Sequence, residues 1–360
     1  MSRKQWVMLS LLLLWGCIVG IVGAVALIDP FEIYHQATAF IPPIENGTQM
    51  YSNAGIAKSY AYDSIVIGSS MTENFSPSQM DTQLGGQFVK LPINSGTPRD
   101  HSLMMATAFA THDVKRVFYG MDIEALTHFY TSLKGDMPQY LYDDSLFNDV
   151  RYWFNSSVLT HYIPKALSTW GQHDSALRDH MYNWGSLYTY GREAALRGLA
   201  ISSTPVKQTP AQEPPALSQQ SHLNIQHNIL PYIEEHPDTE FIIFFPPYSL
   251  ARWYEFYTQG DLYYHLEQKE ALTRLLLGYK NVQIYDFQAR TDWILDLSNY
   301  IDTWHYGPWI NDAIVTAVSE ERERITDADQ VKANNDIIRT LTENLVALGA
   351  WPDDVAAFFP

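Results

Sequence analysis

Cysteine is almost missing. Cys17 is the single thiol in 360 residues, so no internal disulfide forms, cysteine-rich zinc sites are excluded, and thiol usage says nothing about redox compartment. Positive charge is scarce too: 23 Lys and Arg stand against 40 Asp and Glu, a formal net charge of −17. Nucleic acid or an anionic membrane surface rewards the opposite balance, so neither is expected as a partner. No His-Glu-x-x-His occurs, no glycine-rich phosphate loop follows a strand-like run, and no internal repeat is visible. No metal and no cofactor is therefore expected. His173 and His180 lie one heptad apart, which suits a solvated helix face better than a metal site. What remains is a chain of 46% hydrophobic and 14% aromatic residues, long enough for one elaborated domain or two.

The N-terminus carries a long uncharged run, Gln5 to Ile28, between Arg3-Lys4 and Asp29. At about 1.5 Å of helical rise per residue it is long enough to cross a hydrocarbon core of about 30 Å. The leading positive charges place the N-terminus inside and the bulk of the chain outside. A retained anchor over residues 1–28 is the expectation. A signal peptide cut after Ala24-Val25-Ala26 is the second reading. A lipidated Cys17 is the third and weakest, because bulky Trp15 sits where a small residue is usual.

Residues 29–60, with Pro30, Pro42-Pro43 and Asn46-Gly47, read as an extended connector. From Ser64, strands and helices alternate. Ile65 to Ile67, Gln87 to Leu91, Lys115 to Tyr119, Phe241 to Phe245 and Asn281 to Tyr285 are strand-like, and amphipathic or capped helices separate them. Ser76-Pro77-Ser78-Gln79 has the form of a helix start, and Gly349 suits a helix end. The expected architecture is α/β: a flavodoxin-like three-layer sandwich around a mostly parallel five-stranded sheet, spanning 61–350. The alternation stops between about 123 and 221, a helical insertion in which Phe147, Val150 and Phe154 recur at helical spacing. Its aromatics are expected to pack the insertion onto the main domain, with a lid over the crevice as the sharper alternative. Ser202 to Gln220 reads as a flexible surface loop.

The chemistry centres on Gly68-Ser69-Ser70, just after the first strand. In an open α/β sheet the carboxyl edge of the strands is where ligands bind, so a serine on that turn can present its Oγ to the crevice. Asp302-Thr303-Trp304-His305 follows the last strand and opens on the same edge. Asp302 is placed to orient His305, and His305 to take the serine proton. Thr72, Glu73 and Asn74 leave the same turn and are expected to line the crevice, while Trp304, Tyr306 and Trp309 flank the histidine. Either pair alone is weak evidence; their order along the chain is what raises it.

These blocks resemble the SGNH (GDSL-like) hydrolase superfamily over roughly residues 60 to 320. The Gly-Asp-Ser block of that family stands here as Gly68-Ser69-Ser70, which makes Ser70 the nucleophile by alignment. Gly96 in Asn94-Ser95-Gly96 matches the glycine whose N–H helps bind the oxyanion, and Asp302 and His305 match the last block. The Gly-Ser-Ser form, the single anchor and Phe244-Phe245-Pro246-Pro247-Tyr248 look more like the membrane-anchored branch, which includes DltD-like and alginate O-acetyltransferase-like proteins; Tyr248 is carried as a substrate-side candidate. The resemblance implies acyl-ester chemistry on envelope glycans, with an acylated carbohydrate or envelope polymer as substrate and a membrane acyl-donor protein as a partner. One block departs: Gly-x-Asn-Asp stands as Gly120-Met121-Asp122-Ile123. An ionised Asp122 repels developing negative charge, where a lost donor costs about 2.7–4 kcal/mol. Either Asp122 turns away and Asn94 or a backbone N–H substitutes, or catalysis is weak. The rival expectation is a non-catalytic envelope protein that binds glycan or a membrane partner.

Overall fold

The computed structural model describes residues 1–359. The uncharged N-terminal run forms one helix, α1 (Arg3–Ile28), opened by a capping box between Ser2 and Gln5. Its side chains are exposed almost to the last turn, where Val25 is buried by the domain. Among the described residues it is the one helix long and apolar enough to span a membrane.

The connector is less extended than its prolines suggest. Residues 49–59 fold as α2 (Gln49–Ser59), packed on α4 (Pro98–Thr111). On another side Gly55 lets α2 meet the backbone that follows α1, because a Cβ there would lie 2.1 Å from the Phe31 carbonyl oxygen.

The domain is α/β around a mixed sheet of six strands in the order β2-β1-β3-β4-β5-β6. These are β1 (Ser64–Ile67), β2 (Phe88–Lys90), β3 (Arg116–Gly120), β4 (Glu240–Phe245), β5 (Val282–Asp286) and β6 (Arg324–Ile325). The expected count of five is corrected to six. The first five pair in parallel, and β6 pairs antiparallel to β5 through Ile284 and Tyr285. At two residues, β6 is too short to show any alternation in sequence.

Strand periodicity divides the core. On β4, Phe241, Ile243 and Phe245 face one apolar cluster while Ile242 and Phe244 face the other; on β1, Ile65 and Ile67 oppose Val66. One face is covered by α2, α4, α9 (Gln219–Asn228) and α10 (Leu230–Glu235). The other is covered by α3 (Pro77–Leu84), α11 (Leu250–Gln259), α14 (Pro308–Ser319) and α15 (Ala328–Leu348), with α12 (Leu262–Leu276) bridging the two clusters. Gly349 ends α15 at φ 68°, as a C-cap should.

The stretch between β3 and α9 contains no strand. It holds four short helices, α5 (Val150–Trp153), α6 (Ile163–Ser168), α7 (Leu177–His180) and α8 (Arg192–Ala195). Phe147, Val150 and Phe154 do not pack it onto the domain, because all three side chains are exposed. Other residues do that work. Tyr182 and Trp184 are buried, and Lys90 on β2 reaches the Asp179 carbonyl and the Asn183 side chain.

Candidate active site

The Ser69-Ser70 turn follows from one glycine. Gly68 ends β1 at φ +143°, and a Cβ there would meet the Thr72 side chain at 2.7 Å and the Gly120 carbonyl oxygen at 2.8 Å. Only glycine fits that backbone and that space. The next residues close a single tight turn, Ser70–Thr72, which Ser69 caps by accepting from the Met71 N–H. Thr72 donates its hydroxyl back to the Ser69 carbonyl. With the turn held this way, Ser70 Oγ lies 2.8 Å from His305 Nε2.

The histidine comes from the loop between β5 and α14, pinched by a bridge between Tyr300 and Tyr306. Asp302 organises it. Its Oδ1 accepts the backbone N–H of Trp304 (2.8 Å) and of His305 (2.7 Å), and its Oδ2 faces His305 Nδ1 at 2.7 Å. The imidazole therefore presents its Nδ1–H to the carboxylate and its Nε2 lone pair to the serine. Burial pushes the Asp302 carboxyl up, but the bonds from the His305 ring and the two amides outweigh it and hold the group below the usual carboxylate range. Arg252 backs the loop, with its guanidinium 3.8 Å from the Trp304 ring centroid and paired to Glu124 and Glu255.

Ser70, His305, Asp122, Gly96, Glu124 and Trp304 line a crevice of about 330 Å³. A second hollow of about 340 Å³, under the proline-rich loop beside Tyr263 and Lys332, contains neither a serine nor a histidine. No group of histidine, cysteine and acidic side chains with metal-binding geometry occurs among the described residues.

The structure brings some expected site residues together and not others. Ser70, His305 and Asp302 meet. Asp122 does not turn away; it lines the crevice together with Ser69 and Ser70. Burial raises its carboxyl above the ordinary range, while hydrogen bonds from Ser69 and Tyr248 and the nearby His305 act in the opposite direction. Tyr248 is itself fully buried and donates to Asp122 Oδ1 at 2.5 Å, so it reaches the crevice only through Asp122. Gly96 lines the crevice, but its N–H donates to the Ile93 carbonyl at 2.7 Å and is not free to meet an oxyanion. Its lack of a side chain matters instead, since a Cβ would lie 2.9 Å from His101 Nε2. Asn94 is not among the lining residues; its side-chain oxygen accepts from Ser95. Thr72, Glu73 and Asn74 do not line the crevice either, because the turn carries them into the protein interior. Among the described residues, the Ser69 and Ser70 N–H groups at the turn have no backbone acceptor outside the helices and strands.

One residue at the site escaped the sequence reading. Trp184, from the insertion, donates its indole N–H to the Ser70 carbonyl at 3.2 Å and stands edge-on to the His305 ring, 5.4 Å between centroids. Asn74 holds it there by accepting the N–H groups of Trp184 and Gly185. Glu73, expected in the crevice, is instead buried behind the turn: its Oε1 accepts from Gln49, its Oε2 has no partner, and burial pushes its carboxyl up to about 7. Neither carries a local signal. Trp184 sits in a stretch without periodicity, and the partner of Glu73 lies in the segment read as an extended connector.

No family model matches the chain, and no curated protein matches it. A solved structure from Streptococcus pneumonia that carries the provisional name platelet activating factor is similar over 77% of this chain and 92% of its own, at 12% identity and a TM-score of 0.40. A likeness that slight carries no argument about activity.

Proposed function

We propose that the chain is a membrane-anchored, SGNH-type serine esterase or O-acyltransferase that works on acylated envelope glycans outside the cytoplasmic membrane. The observation that carries this reading is the relay from Ser70 Oγ through His305 to Asp302, with links of 2.8 and 2.7 Å, beside an open crevice. The succession of β2, β1, β3, β4 and β5 supports a doubly wound, flavodoxin-like arrangement, in which the carboxyl ends of the strands make the ligand crevice.

In this reaction His305 Nε2 accepts the Ser70 proton as Oγ attacks an acyl carbonyl carbon. Asp302 stabilises the resulting imidazolium and keeps the ring in register. The Ser70 N–H is the backbone donor for the tetrahedral oxyanion. Collapse returns the proton from His305 to the departing alcohol and leaves an ester on Ser70. Water or a sugar hydroxyl then gives its proton to His305 as it attacks the acyl carbon, and His305 passes that proton to Ser70 Oγ as the ester bond breaks. A membrane acyl-donor protein would supply the first ester in the transfer case.

A second reading is favoured by one observation, the carboxylate of Asp122 where negative charge would develop: a non-catalytic protein that keeps the fold and binds glycan or a membrane partner. Labelling with a fluorophosphonate separates the two. The enzyme reading expects covalent modification that Ser70→Ala abolishes and Ser69→Ala spares, because the Ser69 hydroxyl caps the turn rather than facing the histidine. Folded, unlabelled protein would establish the binder instead.

A further inference from the structure

Large apolar side chains exposed outside α1 are not scattered evenly. Leu146, Phe147, Val150, Phe154, Leu167 and Trp170 all fall within one short stretch of the insertion, with Phe147 97% and Trp170 62% exposed. A soluble surface seldom gathers so many in one place. Their helices are also the ones that hold the base of α1: both α5 and α6 pack against it. Tyr152, on the buried side of α5, donates to Asp29 at the end of α1 at 3.1 Å, and Tyr34 donates to Asp149 just ahead of α5 at 2.9 Å. The Phe31 ring lies 4.6 Å from that of Tyr162, just before α6. Thus α5 is two-sided. Tyr152 faces the foot of α1, while Val150 and Phe154, four residues apart, share the face left open.

From this we infer that residues 146–170 form a second membrane contact, an apolar foot resting in the lipid interface around the point where α1 leaves the bilayer. The inference rests on α1 crossing a membrane. The occupant is lipid because the helices that bear these side chains pack against α1 where it ends, and because Trp and Phe are the side chains that favour the boundary between headgroups and acyl chains. Charge does not drive the contact. Asp143, Asp144 and Glu45 offset Arg151 and Lys165 nearby, so neutral phospholipid suffices. A foot of this kind restricts how the domain tilts about its anchor, and with it the direction in which the crevice opens.

Spin labels on the full chain in phosphatidylcholine nanodiscs test it. A nitroxide on the native Cys17 reports α1; in a Cys17→Ser background, Phe147→Cys, Phe154→Cys and Leu167→Cys report the foot, and Lys280→Cys, on the exposed turn before β5, reports solvent. The expected result is greater collision with dissolved oxygen than with a water-soluble nickel chelate at the foot positions, as at Cys17, and the reverse at 280. Foot labels that behave like the one at 280 while Cys17 reads as lipid overturn the foot and leave the anchor standing. A water-exposed Cys17 overturns both. Dipolar broadening between labels on two copies would overturn it in favour of self-association.

Discussion

Asp122 is where the proposed chemistry is most exposed to refutation. Its carboxyl lies at the crevice, raised above the usual range by burial. Tyr248 donates to Oδ1, so a proton on the carboxyl belongs on Oδ2. In that neutral state the O–H is a donor; once ionised, the same group offers no donor and adds a repelling charge. The groups that set its balance are His305, which favours the ion, Glu124, which opposes it, and the Ser69 and Tyr248 hydroxyls. Tyr119 and Tyr306 complete the surrounding shell as fully buried phenols.

Asp122→Asn preserves the shape, because an amide oxygen can accept from Tyr248 while the NH₂ stays a donor at every pH. Removing one oxyanion donor typically costs about 10²–10³ in kcat, or about 2.7–4 kcal/mol. Wild type and variant should therefore agree within a few-fold at low pH. Their ratio should then open by about 10²–10³ in favour of the variant as pH rises through the Asp122 pKa. The assay is kcat/KM on a short-chain aryl ester in detergent, followed from the ordinary carboxylate range upward over every pH at which the protein stays folded, and taken as a ratio so that limbs common to both proteins cancel. A ratio that stays constant with pH, or a variant slower than wild type throughout, would refute the argument.

Glu73 predicts a pH effect on stability rather than on rate. Its folded pKa of about 7 lies above the ordinary 4.5, so its contribution is complete below the unfolded value and is lost as pH rises through the folded one. The difference corresponds to about 3 kcal/mol across that window. Glu73→Gln should erase this portion of the slope in urea melts at acidic and alkaline pH, and an unchanged slope would contradict the assigned burial. Trp184→Phe keeps an aromatic edge near His305 but deletes the indole N–H that meets the Ser70 carbonyl. At about 0.5–1.5 kcal/mol for one neutral hydrogen bond, kcat should fall by about tenfold at most with the melting temperature little changed. An undiminished kcat would show that Trp184 does not position the turn.

The relay was legible because each half has its own short-range cause. Gly68 follows a continuous apolar strand, and its positive φ needs no tertiary information to anticipate. Asp302 and His305 are three residues apart, close enough for one carboxylate to take both the ring N–H and the backbone amide. Order along the chain then places the halves on one sheet edge. The oxyanion side has no such local grammar. Gly96 carries the expected residue at the expected place, yet its N–H is already spent inside its own turn on Ile93. Sequence position shows which group is near; it does not show whether the group is free.

The insertion makes the same point with apolar groups. Phe147, Val150 and Phe154 recur at helical spacing, but the helix itself runs only over Val150–Trp153, with Phe147 in the turn before it and Phe154 at its cap, so the spacing gathers exposed side chains without one helix carrying all three. A face is defined by periodicity alone, whereas its partner is defined by whatever lies opposite. Tyr152, on the other side of α5, already has the foot of α1, and Trp184, far along the insertion with no periodic neighbours, is the residue that reaches His305. Hydrophobic spacing ranks water as the wrong solvent for a face, but it weighs a protein core and an acyl chain alike, because both exclude water. Only the position of α1 beside α5 and α6 breaks that tie. The aromatics of the insertion thus divide by neighbour rather than by composition: Trp184 packs edge-on against the His305 ring, and Phe147 and its companions are exposed away from the packed domain.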